Sequence, residues 1–267
     1  MRRPAASLLV FVVCLALVGA LRPTPAAAEA RPCTEVHGGI TRGPTDRKQL
    51  ALVFTGDAFA EGAPAILDAL AARRAPAAFY LTGNFLREPA FAPIVERMVA
   101  DGHLVGPHSD RYLLYADWTQ RDKTLVSAEA FRRDLEDNFR ELQRFGVPRA
   151  SVRHWVPPYE WYNREVARWS ADLGVRVFTF TPGTRAHADY TGEAEAIFVS
   201  SDAIVRSVLE RERADPHGLN GFVLLMHVGA GPGRRDKMHD RLGELMDAIA
   251  QRGYSFVRVD TMLEGCQ

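Results

Sequence analysis

The sequence predicts an α/β fold built on mainly parallel strands. Short apolar runs of strand length recur along the chain, and stretches with the apolar spacing of helices separate them. Capping residues stand at the edges of those stretches. Ser127 and Ser201 sit where helix N-caps belong, and Gly146, Gly174 and Gly253 follow helix ends, where a positive φ is favoured.

In chain order, Arg2 and Arg3 precede the apolar run "SLLVFVVCLALVGAL", and the small residues of "TPAAAEA" follow with cleavage sites after Ala28 or Ala30. This is the pattern of an export signal spanning residues 1–30 that is removed. The run falls short of the roughly 18 to 20 residues a membrane span needs; an uncleaved anchor is the other reading. Cys14 lies within the run behind Val13, which argues against lipid attachment. Residues 31–47, rich in Gly, Pro and Thr without apolar period, read as a surface lead-in, and residues 48–267 as one domain. Strands are expected at residues 50–55, 77–82, 103–106, 175–180, 222–226 and 255–259. Helices are expected at 63–72, 91–101, 128–145, 164–173, 202–214 and 240–251.

Of the 267 residues, Lys and Arg number 33 and Asp and Glu 33, so the net charge is zero and no nucleic acid or other polyanion is expected as partner. With 47% hydrophobic residues the chain has material for a full core. Once the signal is removed, Cys33 and Cys266 remain near opposite ends, an even pair that invites a disulfide in an oxidising compartment. Both lie far from every candidate catalytic segment, which argues against a catalytic thiol.

In such folds function gathers at the carboxyl ends of the strands. There the sequence places "FTGDAFAEG", "PHSDRY", "HWVPPYEWYN", "FTPGTRAHADY" and "LLMHVGAG". The order of these segments resembles the polysaccharide deacetylase family, the nodulation-type carbohydrate esterases, from about Arg47 to Leu263. The family's motifs are TFDDG, H-[ST]-x-x-H, RPPYG, an aromatic groove segment and L-x-H. Here "ALVFTGD", "HSDRY", "VPPYEWYN" and "LLMH" stand in that order.

The resemblance implies a distorted (β/α) barrel and a hydrolase that removes acetyl groups from an N-acetylated or O-acetylated glycan. It also implies a divalent metal, zinc or a neighbouring ion, held by Asp, His and His. An Asp then takes a proton from water, and the last His protonates the leaving amine. Transferred onto this chain, His108 is a metal ligand and His227 the catalytic acid, while Asp57 reaches the metal-binding position after a shift of one residue. Asp57 must then stand for two carboxylates, as ligand and as catalytic group. Tyr112 holds the place of the second metal His, Val156 that of the family's Arg, and Glu160 that of its Gly. Glu160 is accordingly a candidate for proton transfer, or for an added place in the ligand set. Pro158, Tyr159, Trp161, Tyr162 and His187 are candidates for sugar contact, with Asp189 beside them.

Each has a plainer reading. A His at a strand end is often a hydrogen-bonding residue only, Asp57 can shape a turn, Tyr112 can pack or touch substrate, Glu160 can be a loop residue and the aromatics can be core. The run "GRRDKMHDR" reads as a solvated loop and helix start, or as Arg residues for an anionic sugar. Two other functions stay open: a metal-free carbohydrate-binding pseudoenzyme, and a glycoside hydrolase on Asp57 and Glu160.

Overall fold

The computed structural model describes residues 32–266; the expected export signal lies outside them. Its centre is β3 (Gln49–Gly56), buried from Leu50 to Gly56. A run that is apolar at every position, not every second one, suits a strand covered on both faces. Before it come β1 (Thr34–Val36) and β2 (Gly39–Arg42), an antiparallel hairpin. After it come α1 (Ala63–Arg73), β4 (Ala78–Leu81), α2 (Gly83–Arg87), α3 (Ala92–Ala100), β5 (Leu104–Pro107) and α4 (Ala128–Gln143). Next are β6 (His154–Trp155), α5 (Arg164–Asp172), β7 (Arg176–Val177), α6 (Ser201–Ala214), β8 (Phe222–His227), α7 (Leu242–Ala250), β9 (Ser255–Phe256) and α8 (Val259–Leu263).

The main sheet runs β5-β4-β3-β8, with β9 also on β3, and every pairing in it is parallel. A separate parallel pair, β6 with β7, continues the wall, and Ile40 of the hairpin bridges to Phe178. The outcome is a distorted (β/α) barrel whose sheet does not close. Its helices are amphipathic: α4 buries Phe131, Leu135, Phe139 and Leu142 along one stripe, and Ser127 Oγ caps it by accepting from the Ala130 amide at 3.2 Å. Gly146, Gly174 and Gly253 have φ of 76°, 72° and 85°, as the sequence predicts.

Four expectations need correction. The lead-in is no loose surface segment: β2 is buried at all its positions. Tyr162 locks the hairpin, because its ring lies where a Cβ on Gly39 would fall and its hydroxyl donates to the Val36 carbonyl at 2.7 Å. The N-cap of α6 is Ser200, accepting from the Ala203 amide at 3.2 Å, with Ser201 already inside the helix. The strands expected at 175–180 and 255–259 shrink to two residues each, because the chain turns away to enter loops and α8.

Cys33 and Cys266 form a disulfide with Cα atoms 5.5 Å apart, tying the first described residues to the last. A loop this long gives up to about 5 kcal/mol in the chain-entropy model. A C33S/C266S double variant is expected to lose unfolding free energy within that limit, read as a lower denaturant midpoint than wild type at similar slope; equal midpoints would contradict it.

Candidate functional site

The carboxyl ends of the parallel strands open into a cavity of about 620 Å³, a volume suited to a small ligand. Asp57 follows β3, His108 follows β5, and His227 ends β8, where it pairs in register with Thr55. Tyr112 and Trp118 reach the cavity from the long loop after β5, Tyr159 and Glu160 from the turn after β6, and His187 and Tyr190 from the loop after β7. The topology therefore gathers these residues because each follows the end of a parallel strand.

His227 is the most firmly held. Its Nδ1 lies 2.7 Å from Asp189 Oδ1, and its backbone amide donates to Asp189 Oδ2 at 2.9 Å. Burial acts to lower the His227 pKa, but the charge and hydrogen bond of Asp189, aided by Glu160, outweigh it and raise the value above the ordinary one. Nδ1 faces a carboxylate, so Nε2 is the nitrogen available to a ligand.

His108 is the opposite case. Its Nδ1 donates to the Val156 carbonyl at 2.8 Å, which fixes the tautomer and leaves Nε2 unprotonated. Burial pushes its pKa down to about 4, against the pull of that carbonyl. Val156 thus acts through its backbone while its side chain packs in the core. Asp57 is tethered by Oδ1, which accepts from Thr82 Oγ1 at 2.8 Å and Asn84 Nδ2 at 3.1 Å.

Glu160 has no such tether. Burial lifts its carboxyl to about 7, His227 pulling the other way. Its Oε1 is buried with no hydrogen-bond partner, as are Thr55 Oγ1 and His187 Nδ1, and all three residues line this cavity. Unpaired buried polar atoms are costly, and three of the seven such side-chain atoms among the described residues belong to residues that line this one cavity. The backbone adds to the case. Ser109, Tyr112, Tyr159 and Glu160 are four of the six non-glycine residues with positive φ among those described, and Glu160 has φ 51°. Such a conformation costs roughly 1 to 2 kcal/mol for an ordinary side chain, and the family's Gly would hold it free of that cost. A Glu kept there, half-buried with Oε1 unpaired, is placed at the expense of stability.

Aromatic rings surround the opening. Phe59, Trp118, Tyr159 and Tyr190 are among the few large apolar side chains more than 40% exposed. Trp118 and Tyr159 meet edge to face at 5.4 Å, Tyr159 and Tyr112 lie 4.6 Å apart, and Tyr190 contacts the His227 ring at 4.8 Å. His187 stacks on Phe180 at 4.2 Å. Three expected sugar contacts do not line the cavity. Pro158 and Tyr162 are buried, Tyr162 in the hairpin lock, and Trp161 packs beneath Trp118 with the Arg121 guanidinium 3.8 Å from its ring centre. Trp118, Phe59 and Tyr190 take their place, aromatic residues on loops that the sequence reading did not single out.

The expected metal set is incomplete. A catalytic zinc takes three protein ligands; Asp57 and His108 supply two donors of suitable chemistry. The third place holds Tyr112, whose phenol burial drives well above its ordinary pKa, with Glu160's charge adding to the rise. Among the described residues no three of His, Cys, Asp and Glu come together as a metal-holding group. The donor set therefore does not fit a resident zinc: the third place holds a phenol that burial keeps protonated, its ring 5.4 Å from the His108 ring. Tyr112→His is expected to raise zinc affinity at least tenfold, read by calorimetric titration; unchanged affinity would show that Asp57 and His108 are not arranged to share an ion.

Residues 42–178 match the model of a family described as polysaccharide deacetylase. The chain is similar to a chitooligosaccharide deacetylase from Sinorhizobium fredii, 29% identical over 202 residues that make up 72% of this chain and 80% of that protein. It is also similar to a peptidoglycan-N-acetylglucosamine deacetylase from Bacillus cereus, 24% identical over 223 residues, 83% of this chain and 70% of the other. Among solved structures, a family 4 carbohydrate esterase from Bacillus subtilis superposes with a TM-score of 0.68 at 19% identity, covering 85% of both chains. A family 4 pseudoenzyme from Bacillus anthracis gives 0.64 at 19% identity, covering 85% of this chain and 69% of that one. Both structural likenesses concern the fold.

Proposed function

The chain belongs to the polysaccharide deacetylase family, and from that premise we propose that it hydrolyses the acetamide of an N-acetylated glycan, of chitooligosaccharide or peptidoglycan type, outside the cytoplasm. The observation that carries this reading is His227, gripped twice by Asp189 and sharing a cavity with the unpaired Glu160 carboxyl. Two proton-transfer groups of displaced pKa in one cavity are the equipment of acid-base hydrolysis.

The steps follow from the residues. The sugar ring stacks against the exposed aromatics and its acetamide enters the cavity. Glu160, ionised, accepts a proton as water oxygen attacks the acetyl carbon, and the carbonyl π pair moves to oxygen. The Tyr112 phenol, kept neutral by burial, donates to that oxygen. As the intermediate collapses, the carbon–nitrogen bond breaks and the departing nitrogen takes the proton from His227 Nε2. Acetic acid leaves and ionises to acetate, its proton taken up by the amine that stays on the sugar, and the Glu160 proton returns to His227 through solvent. No step is routed through a metal.

Export is supported by the N-terminal pattern and by a disulfide between the chain ends, which needs an oxidising compartment to persist. No helix among the described residues is long and apolar enough to cross a membrane. A second reading, glycan binding without hydrolysis, is favoured by the incomplete metal donor set. The test is incubation with N-acetylglucosamine oligomers and with peptidoglycan. Acetate release supports the proposal, and binding without release supports the second reading.

A further inference from the structure

The run "GRRDKMHDR", read from sequence as solvated, hides a buried cation: Arg234 is 1% exposed. Its guanidinium is spent on backbone. Nε donates to the Asp236 carbonyl at 2.6 Å, Nη1 to the Thr191 carbonyl at 2.9 Å and more weakly to that of Ala188 at 3.4 Å. Nη2 donates to the Val199 carbonyl at 2.9 Å and to Ser201 Oγ at 3.3 Å. The nearest carboxylate oxygen, Asp236 Oδ2, is 3.7 Å away and itself accepts from the Ser201 amide at 2.6 Å. Burying a cation to serve carbonyls is a costly arrangement, and it calls for a return.

That return is visible in what the carbonyls flank. Ala188 and Thr191 bracket Asp189, which grips His227, and Tyr190, whose ring lies on His227. This segment has no strand or long helix to stiffen it, only one short helical turn at Ala186–Ala188. We infer that Arg234 is a positioning residue of the hydrolytic site, clamping the 188–191 turn so that Asp189 meets His227 from a fixed direction. The kinetic side of this inference rests on the proposed deacetylase function; the clamp itself does not. A Lys cannot substitute, because one ammonium lacks the planar fan that reaches carbonyls on both sides.

The titratable side chains around His227 are Asp189, Glu160, His108 and His187, with the Tyr190 phenol beside them. The test is an NMR titration of the His227 ring in wild type, R234K, D189N and the double variant, with circular dichroism to confirm folding. R234K is expected to lower the His227 pKa by about one unit, toward the D189N value, and the double variant to go no lower than D189N alone. An unshifted pKa in folded R234K, or fully additive shifts, would overturn the inference. Should R234K not fold, R234Q, which buries no charge, is judged by the same criterion. Turnover on acetylated oligomers separates the two layers: R234K should lower kcat at least tenfold with KM nearly unchanged. A wild type without turnover but with the expected titration pattern would remove the deacetylase reading and leave the clamp.

Discussion

Glu160→Gln is expected to lose at least a hundredfold in kcat while becoming the more stable protein above pH 7. The loss is the contribution of a general base, about 10² to 10⁴. The gain follows from the sign of the shift. Folding raises this carboxyl to about 7 from its ordinary value near 4.5, so between those pH values the native state holds a proton the unfolded state has released. Wild-type stability therefore falls as pH rises through that window, and above it the folded protein carries the full cost of a buried charge. Gln removes that cost at similar volume, for an expected gain of about 2 to 3 kcal/mol at pH 8 and almost none at pH 4. Denaturant melts at the two pH values, beside kinetics, check both halves. Equal stability at pH 8 would show that Glu160 is solvated, and unchanged turnover would show that it carries no proton.

His227→Ala should cost as much or more in kcat, about 10² to 10⁴, because the departing amine then lacks its acid. The pH profile distinguishes this from general damage. Activity requires Glu160 ionised and His227 protonated, so it falls below about 7 as Glu160 takes up a proton. It falls again as pH rises through the elevated pKa of His227. A narrow bell near neutrality is expected, with limbs that belong to the coupled pair. D189N, which withdraws the charge that holds the His227 proton, should move the basic limb downward and lower the maximum. A D189N profile with its basic limb in place would assign that limb to another group.

What could be read from sequence follows from where signals are local. Asp57, His108 and His227 each follow or end an apolar run, so strand ends placed them, and the order of the segments, through the family resemblance, gave them their expected roles. Glu160 stood out as a carboxylate in a Pro-Pro turn at a position the family gives to Gly. The hairpin was missed because a short segment such as "GITR" shows no period, and its burial depends on Tyr162, more than a hundred residues away. Trp161 and Tyr162 were misplaced for the same reason: crowding on one loop does not say which rings face out. Arg234 left no signal. Its partners are backbone carbonyls, which any sequence supplies, and one Arg among several in a polar run looks solvated until the chain is folded.

The most direct test of the central claim is mass spectrometry of N-acetylglucosamine oligomers after incubation with the purified protein and with E160Q. The account predicts products that lose acetyl groups one at a time at constant chain length, with E160Q leaving the oligomers unchanged. Shortened chains would make the protein a glycosidase, and intact oligomers with the wild type would make it a binding protein on a deacetylase fold; either result contradicts the account.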